Sequence, residues 1–191
     1  MSDNILVILF IIIIIYFYYN SDFIHLKCII SDVDGKTYCV RKREDLNKVA
    51  DLLAKVNVKL QEIVKYMGKE YPEMDNVKRL VKKYNPNKIS ETLPTSKHVA
   101  YSENKGEKLA FCVNKKKDED NLIDENTLTF VALHELAHIM TVSVGHTKEF
   151  WDNFKFILEN AVKIKVYNSV NYKEKPISYC SMEINENPLF N

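Results

Sequence analysis

The stretch Val131-Ala132-Leu133-His134-Glu135-Leu136-Ala137-His138-Ile139-Met140, followed after a short gap by Gly145-His146-Thr147-Lys148-Glu149-Phe150-Trp151, decides how this chain is read. His134 and His138 are four residues apart, so on an α-helix they stand one above the other on the same face. Two imidazoles placed that way can fill two corners of a tetrahedral zinc site. Glu135 lies beside them, where a carboxylate can take a proton from a water held in that site. With 5 His and 15 Glu in 191 residues, chance alone produces this spacing in roughly one chain in a hundred. The flanking sequence therefore has to support it.

Ala132, Leu133, Leu136 and Ala137 are small or apolar, so the helix can be buried. Two histidines buried there without partners would be costly. Asp124 or Asn126 can cap the helix, and Thr127, Val131, His134 and His138 form one stripe along it. Gly145 breaks the helix and lets the chain turn back. His146 then offers a third nitrogen. Glu149 and Asp152, on the following helix, are the rival third ligands, because zinc accepts imidazole nitrogen and carboxylate oxygen at similar distances. His146 is preferred, since Gly145 frees the backbone just before it. His25 and His98 read as ordinary surface or packing histidines. Thr147 is a natural N-cap for a helix that buries Phe150, Trp151, Phe154, Ile157, Leu158 and Ala161.

Three protein ligands leave a fourth position for water, whose proton Glu135 can accept and pass to a leaving amine. The expected activity is that of a zinc (Zn2+) metalloendopeptidase acting on a protein or peptide substrate, with Glu135 catalytic and His134, His138 and His146 holding the metal. Tyr167, Tyr172 and Tyr179 are unranked candidates for stabilising the oxyanion. The strand over 109–113 is a candidate edge for an extended peptide. The competing class is a structural or interaction protein with a non-catalytic zinc site. Glu135 favours the enzyme, because a structural site needs no base.

At these residues the chain resembles the WLM, SprT-like and related minigluzincin-type zinc peptidases, whose pattern is H-E-L-x-H, a short spacer, then H-x-x-x-F-W. The match is strong over 128–151. The resemblance implies a compact α+β, zincin-like domain with a small sheet, an active-site helix and packing helices. It carries His134, His138 and His146 over as zinc ligands and Glu135 as the acid/base. It also implies DNA-linked protein substrates for the repair members. Here the chain departs: only 3 of its 27 basic residues are Arg, the net charge is +1, and no DNA-, ubiquitin- or SUMO-binding appendage is recognisable. No specific nucleic-acid binding is expected. The Lys-over-Arg bias with abundant Ile and Asn fits an AT-rich genome, and small proteins of this kind are familiar among large DNA viruses.

Residues 5–19 are unbroken apolar or aromatic. The run is short of the roughly 20 residues of a spanning helix, but Phe23, Ile24 and Leu26 can extend it and Tyr16–Tyr19 read as an interfacial belt. No basic leader or small-residue cleavage site marks a signal peptide. The expectation is therefore an N-terminal transmembrane helix over 1–22, a single-pass protein of a host or virion membrane, and one domain over 23–191 with its catalytic core at about 98–162. Lys27, Lys36, Arg41, Lys42 and Arg43 follow the run, which places that domain on the cytoplasmic side.

Between anchor and motif, strands are expected over 23–30 and 36–40 around Asp34-Gly35. A long amphipathic helix follows over 43–67, ended by Gly68, and a second helix over 72–84. A loop is expected over 88–97, then a hairpin over 98–113 around Asn104-Lys105-Gly106. The block from Lys115 to Asp120 reads as a solvated loop. Cys28, Cys39, Cys112 and Cys180 form no C-x-x-C pair. Free thiols are preferred, with Cys28 and Cys39 as potential cross-strand neighbours.

Overall fold

The computed structural model describes residues 2–19, 25–116 and 121–190. The chain is α+β, with five helices among the described residues and a five-stranded mixed sheet. After helix α1 (Ser2–Tyr19) come strands β1 (Leu26–Ile30) and β2 (Thr37–Arg41), then helices α2 (Leu46–Glu70) and α3 (Asp75–Lys83). Strands β3 (Ile89–Glu91), β4 (Ala100–Glu103) and β5 (Lys108–Phe111) lead to helices α4 (Glu125–Met140) and α5 (Lys148–Lys163). A separate hairpin, β6 (Ile177–Tyr179) and β7 (Met182–Ile184), closes the chain. Sheet order is β1-β2-β3-β5-β4. The outer pairs are antiparallel, while β3 is parallel to both β2 and β5.

The expected transmembrane helix is overturned. No helix among the described residues is long and apolar enough to cross a membrane. The apolar part of α1 begins only at Ile5, and 15 residues at 1.5 Å each span about 22 Å against a hydrocarbon core of about 30 Å. Leu26, expected to lengthen the run, is the first residue of β1 and is buried. Phe23 and Ile24 lie outside the described residues. The single-pass membrane placement and the cytoplasmic orientation fall with the helix.

The spacing of α2 behaves as its sequence dictates. Val49, Ala50, Leu53, Val56, Leu60, Ile63, Val64 and Met67 form its buried stripe. Gly68 does not end the helix, which runs on to Glu70 and stops just before Pro72, whose ring disfavours helix in the preceding residue. Gly68 instead makes room for α3: a Cβ there would lie 2.9 Å from Val81 Cγ2. The expected hairpin at Asp34-Gly35 forms, and its register sets Cys28 directly opposite Cys39.

Three features depart from expectation. The stretch expected as a loop over 88–97 contributes β3, placed between β2 and β5. Its Glu91 is buried and paired with Arg41 and Arg43, with Arg43 also donating to Asn114 Oδ1 at 2.9 Å. A charged residue in a central strand gives no local strand signal; its partners lie about fifty residues away in sequence. Second, β5 is covered on both sides, by β3 and β4, so the open edge beside the motif belongs to β4. Third, the cysteines are not free thiols: Cys28 pairs with Cys39, and Cys112 with Cys180. Residues Lys117–Asp120 of the charged block lie outside the described residues.

The second disulfide closes a loop of 68 residues and the first one of 11. Chain-entropy reasoning assigns about 4 kcal/mol to the former and about 3 kcal/mol to the latter. Replacing Cys112 and Cys180 together with Ser should lower the urea midpoint more than replacing Cys28 and Cys39. The reverse order would contradict this assignment.

Candidate metal centre

Helix α4 starts where the sequence places a cap. Asp124 accepts from the Thr127 backbone N–H (2.9 Å) and from its hydroxyl (2.7 Å). Leu128, Ala132, Leu133, Leu136 and Ala137 are fully buried, so the helix is fixed on nearly all sides. Its one open stripe carries His134 and His138, both half-buried. After Met140 the backbone leaves the helix, turns at Gly145 (φ +84) and returns His146 to the same point. Thr147 caps α5 by accepting from the Phe150 N–H.

The three imidazoles converge. Nε2 of His134 lies 3.2 Å from Nε2 of His138 and 3.1 Å from Nε2 of His146, and the three ligand atoms all lie within 4.8 Å of one another. Nitrogens at two adjacent corners of a tetrahedral zinc site are about 3.3 Å apart, given bonds of about 2.05 Å. Burial, helped by the neighbouring imidazoles, holds His134 down at about 3; burial, with His146 and Lys105, holds His138 at about 4. Both rings are therefore neutral at pH 7 and keep a lone pair for a metal. An all-imidazole donor set suits zinc and its divalent neighbours. These residues fit a metal ion of that class.

Phe150 explains the aromatic half of the motif. Its fully buried ring stands 4.8 Å from His134, 4.3 Å from His138 and 4.7 Å from His146, centroid to centroid. One apolar side chain thus backs all three imidazoles. Trp151 lies 5.9 Å from His146, and Phe154 lies 5.1 Å from His134.

The rival ligands are otherwise engaged. Asp152 pairs with Lys148 at 2.6 Å. Glu149 turns to the loop before His146, accepting from the N–H of Val142 (2.8 Å), the N–H of Ser143 (3.1 Å) and the hydroxyl of Ser143 (2.7 Å). Lys105, at the tip of the β4–β5 hairpin, grips the other side of that loop. Its ammonium donates to the carbonyls of Thr141 (2.7 Å), Val142 (2.7 Å) and Ser143 (3.2 Å), and Arg79 donates to the carbonyl of Met140. Both cations complement the negative end of α4. Gly106 lets the hairpin tip dock there: with φ +113, a Cβ would lie 2.7 Å from the Lys83 carbonyl oxygen. Sequence reasoning missed Lys105 and Arg79, which lie 36 or more residues away from the carbonyls they hold. It weighed Glu149 only as a ligand. His25 and His98 are not part of the cluster.

Glu135 lines a cavity of about 250 Å³ that His134 and Tyr179 also line. It is 5 % exposed, and burial pushes its carboxyl up to about 8. Among the described residues nothing hydrogen-bonds to it. Of the three tyrosines considered, Tyr179 donates its hydroxyl to the carbonyls of Cys112 (2.8 Å) and Val99 (3.3 Å). Tyr167 accepts from Asn187 at 3.2 Å. Tyr172 is buried against Phe130.

No family model matches this chain. The sequence is similar to the uncharacterized protein R325 of Acanthamoeba polyphaga mimivirus, 26% identical over 164 residues, which is 83% of this chain and 82% of that protein. Shorter stretches are similar to uncharacterized proteins of two iridescent viruses. They are 39% identical over 70 residues to 136R of Invertebrate iridescent virus 6 (36% of this chain, 38% of that protein) and 39% over 61 residues to 042R of Invertebrate iridescent virus 3 (31% and 36%). All three relatives are viral, in line with the source expected from composition. Among solved structures, the chain is similar to Wss1 from Saccharomyces cerevisiae, with TM-score 0.49 and 17% identity over 66% of this chain and 88% of that one.

The Glu149 contacts set a pH dependence. Hydrogen bonds from Val142 N–H, then from the Ser143 hydroxyl and N–H, hold its carboxyl at about 2. A depressed carboxylate contributes fully above its ordinary value near 4.5 and loses that contribution as pH falls toward 2. Amide exchange at Val142 and Ser143, corrected for intrinsic rates, should therefore accelerate between about pH 4.5 and 2. Glu149→Gln should show weakened protection already at pH 7.

Proposed function

We propose that this chain is a zinc-dependent metallopeptidase in which His134, His138 and His146 hold the metal and Glu135 is the general acid/base. The observation that carries the reading is the convergence of three imidazoles, with Nε2 of His138 and Nε2 of His146 each within 3.2 Å of Nε2 of His134, next to a buried carboxyl with no partner among the described residues. The likeness of the motif to the WLM and SprT-like pattern supports it.

A zinc ion so held lowers the pKa of a bound water and polarises a carbonyl oxygen. Glu135 supplies the proton handling. In this reading Glu135 takes a proton in one step and gives it to a departing amine in the next. Phe150 and the caps of α4 and α5 keep the imidazoles in place, so little reorganisation accompanies the reaction. The clamp of Lys105 and Glu149 fixes the loop that delivers His146. An extended peptide can add to the open edge of β4, which packs beside α4.

A non-catalytic zinc site is the reading to be excluded, and Glu135 separates the two. Glu135→Gln should keep its zinc content while losing casein or peptide cleavage by at least about a hundredfold. His146→Ala should lower zinc affinity sharply. Equal cleavage by wild type and Glu135→Gln would refute the mechanism. Zinc binding by both, with no cleavage by either, would favour the structural site.

A further inference from the structure

The cavity beside His134 and Glu135 has two walls from different parts of the chain. Phe130 and Val131 of α4, with Trp151 and Phe154 of α5, form the helical wall. Met182 and Ile184 of the C-terminal hairpin face them, and Glu183 and Glu186 lie alongside. The hairpin is anchored at both ends. At one end Cys180 is bonded to Cys112, and its N–H donates to the Asn114 carbonyl (2.9 Å). At the other, Asn187 donates to the carbonyl of Val170 (2.8 Å). Residues 182–186 line the cavity between these anchors.

Size and chemistry indicate what enters. About 250 Å³ is less than the roughly 300–1,000 Å³ of a pocket that takes a whole ligand. It suits one large side chain of a longer molecule. The lining is largely aromatic and aliphatic, with His134, Glu135 and Asn185 as polar members besides the hairpin glutamates. Neither Glu183 nor Glu186 is in an ion pair among the described residues, and both are exposed, so two acidic side chains that can meet a cation border the cavity.

We propose that this cavity is the substrate's side-chain subsite, taking one bulky apolar residue next to the scissile bond, with Glu183 and Glu186 selecting a basic residue beside it. The inference rests on the peptidase reading and adds a substrate class to it: peptides in which an aromatic or large aliphatic residue adjoins Lys or Arg.

Trp151 is the chain's single tryptophan and lines the cavity, so occupancy can be read without catalysis. The zinc-loaded full chain carrying Glu135→Gln is titrated with acetylated, amidated hexa-alanine peptides bearing adjacent Phe and Lys in either order, while Trp151 emission is followed. The tighter of the two orders should bind about tenfold more tightly than the same peptide with Ala for Phe, and severalfold more tightly than with Glu for Lys. Met182→Asp with Ile184→Asp, both on a surface hairpin, should abolish the preference for Phe. Glu183→Lys with Glu186→Lys should invert the order of the Lys and Glu peptides. Equal binding of all peptides, or an unchanged order after charge reversal, would overturn the subsite. If the binding order holds while wild type cleaves none of them, the peptidase reading fails and the subsite stands. If wild type cleaves them without preferring Phe next to Lys, the subsite fails and the peptidase reading stands.

Discussion

Three imidazoles whose ligand nitrogens all lie within 4.8 Å of one another form the constraint to which much of this structure answers. Each ring brings a nitrogen to the same small space, an arrangement that suits a divalent cation. To hold it, the chain buries α4 against α2, α3, α5 and β4 and sets the buried ring of Phe150 behind all three rings. Helix rigidity fixes His134 and His138. His146 sits on a loop and needs other means.

Those means are electrostatic. The loop after α4 carries carbonyls on one side and N–H groups on the other. Lys105 takes the carbonyls and Glu149 takes the N–H groups, so Val142 and Ser143 are both gripped from both sides. Charge-assisted hydrogen bonds of this kind are roughly twice as strong as neutral ones. Gly106 is required for the grip, because any side chain at its position would meet the backbone of Lys83. The β4–β5 hairpin therefore serves twice, as the open sheet edge beside the site and as the arm that carries Lys105.

Much of this was legible in the residues. The periodicity of α2, the Asp124 and Thr147 caps, the Asp34-Gly35 turn and the grouping of His134, His138 and His146 are local patterns, decided by neighbours within a turn or two. The strand β3 was not legible: it is three residues long and carries Glu91, whose charge is neutralised only by Arg41 and Arg43 on another part of the chain. Gly68 was misread because a glycine inside a helix and one ending it look alike until the neighbouring α3 is in view. The 15-residue apolar run was misread as a spanning segment because its length sits near the limit, and Leu26 belongs to the sheet.

The sequence alone determined that His134 and His138 share one face of a helix, because His-Glu-x-x-His spaces them by about one 3.6-residue turn. It also favoured His146 over Glu149 and Asp152 as the third member of the group, since Gly145 frees the backbone just before it. The tertiary structure decided everything that depends on distant segments meeting. It made β4 the open edge, paired the four cysteines, turned Glu149 from a rival ligand into a tether, and brought the C-terminal hairpin to line the cavity beside Glu135. Backbone periodicity acts over a few residues and can be read directly. Ion pairs, strand neighbours and cavity walls join residues tens of positions apart, and only the folded chain brings them together.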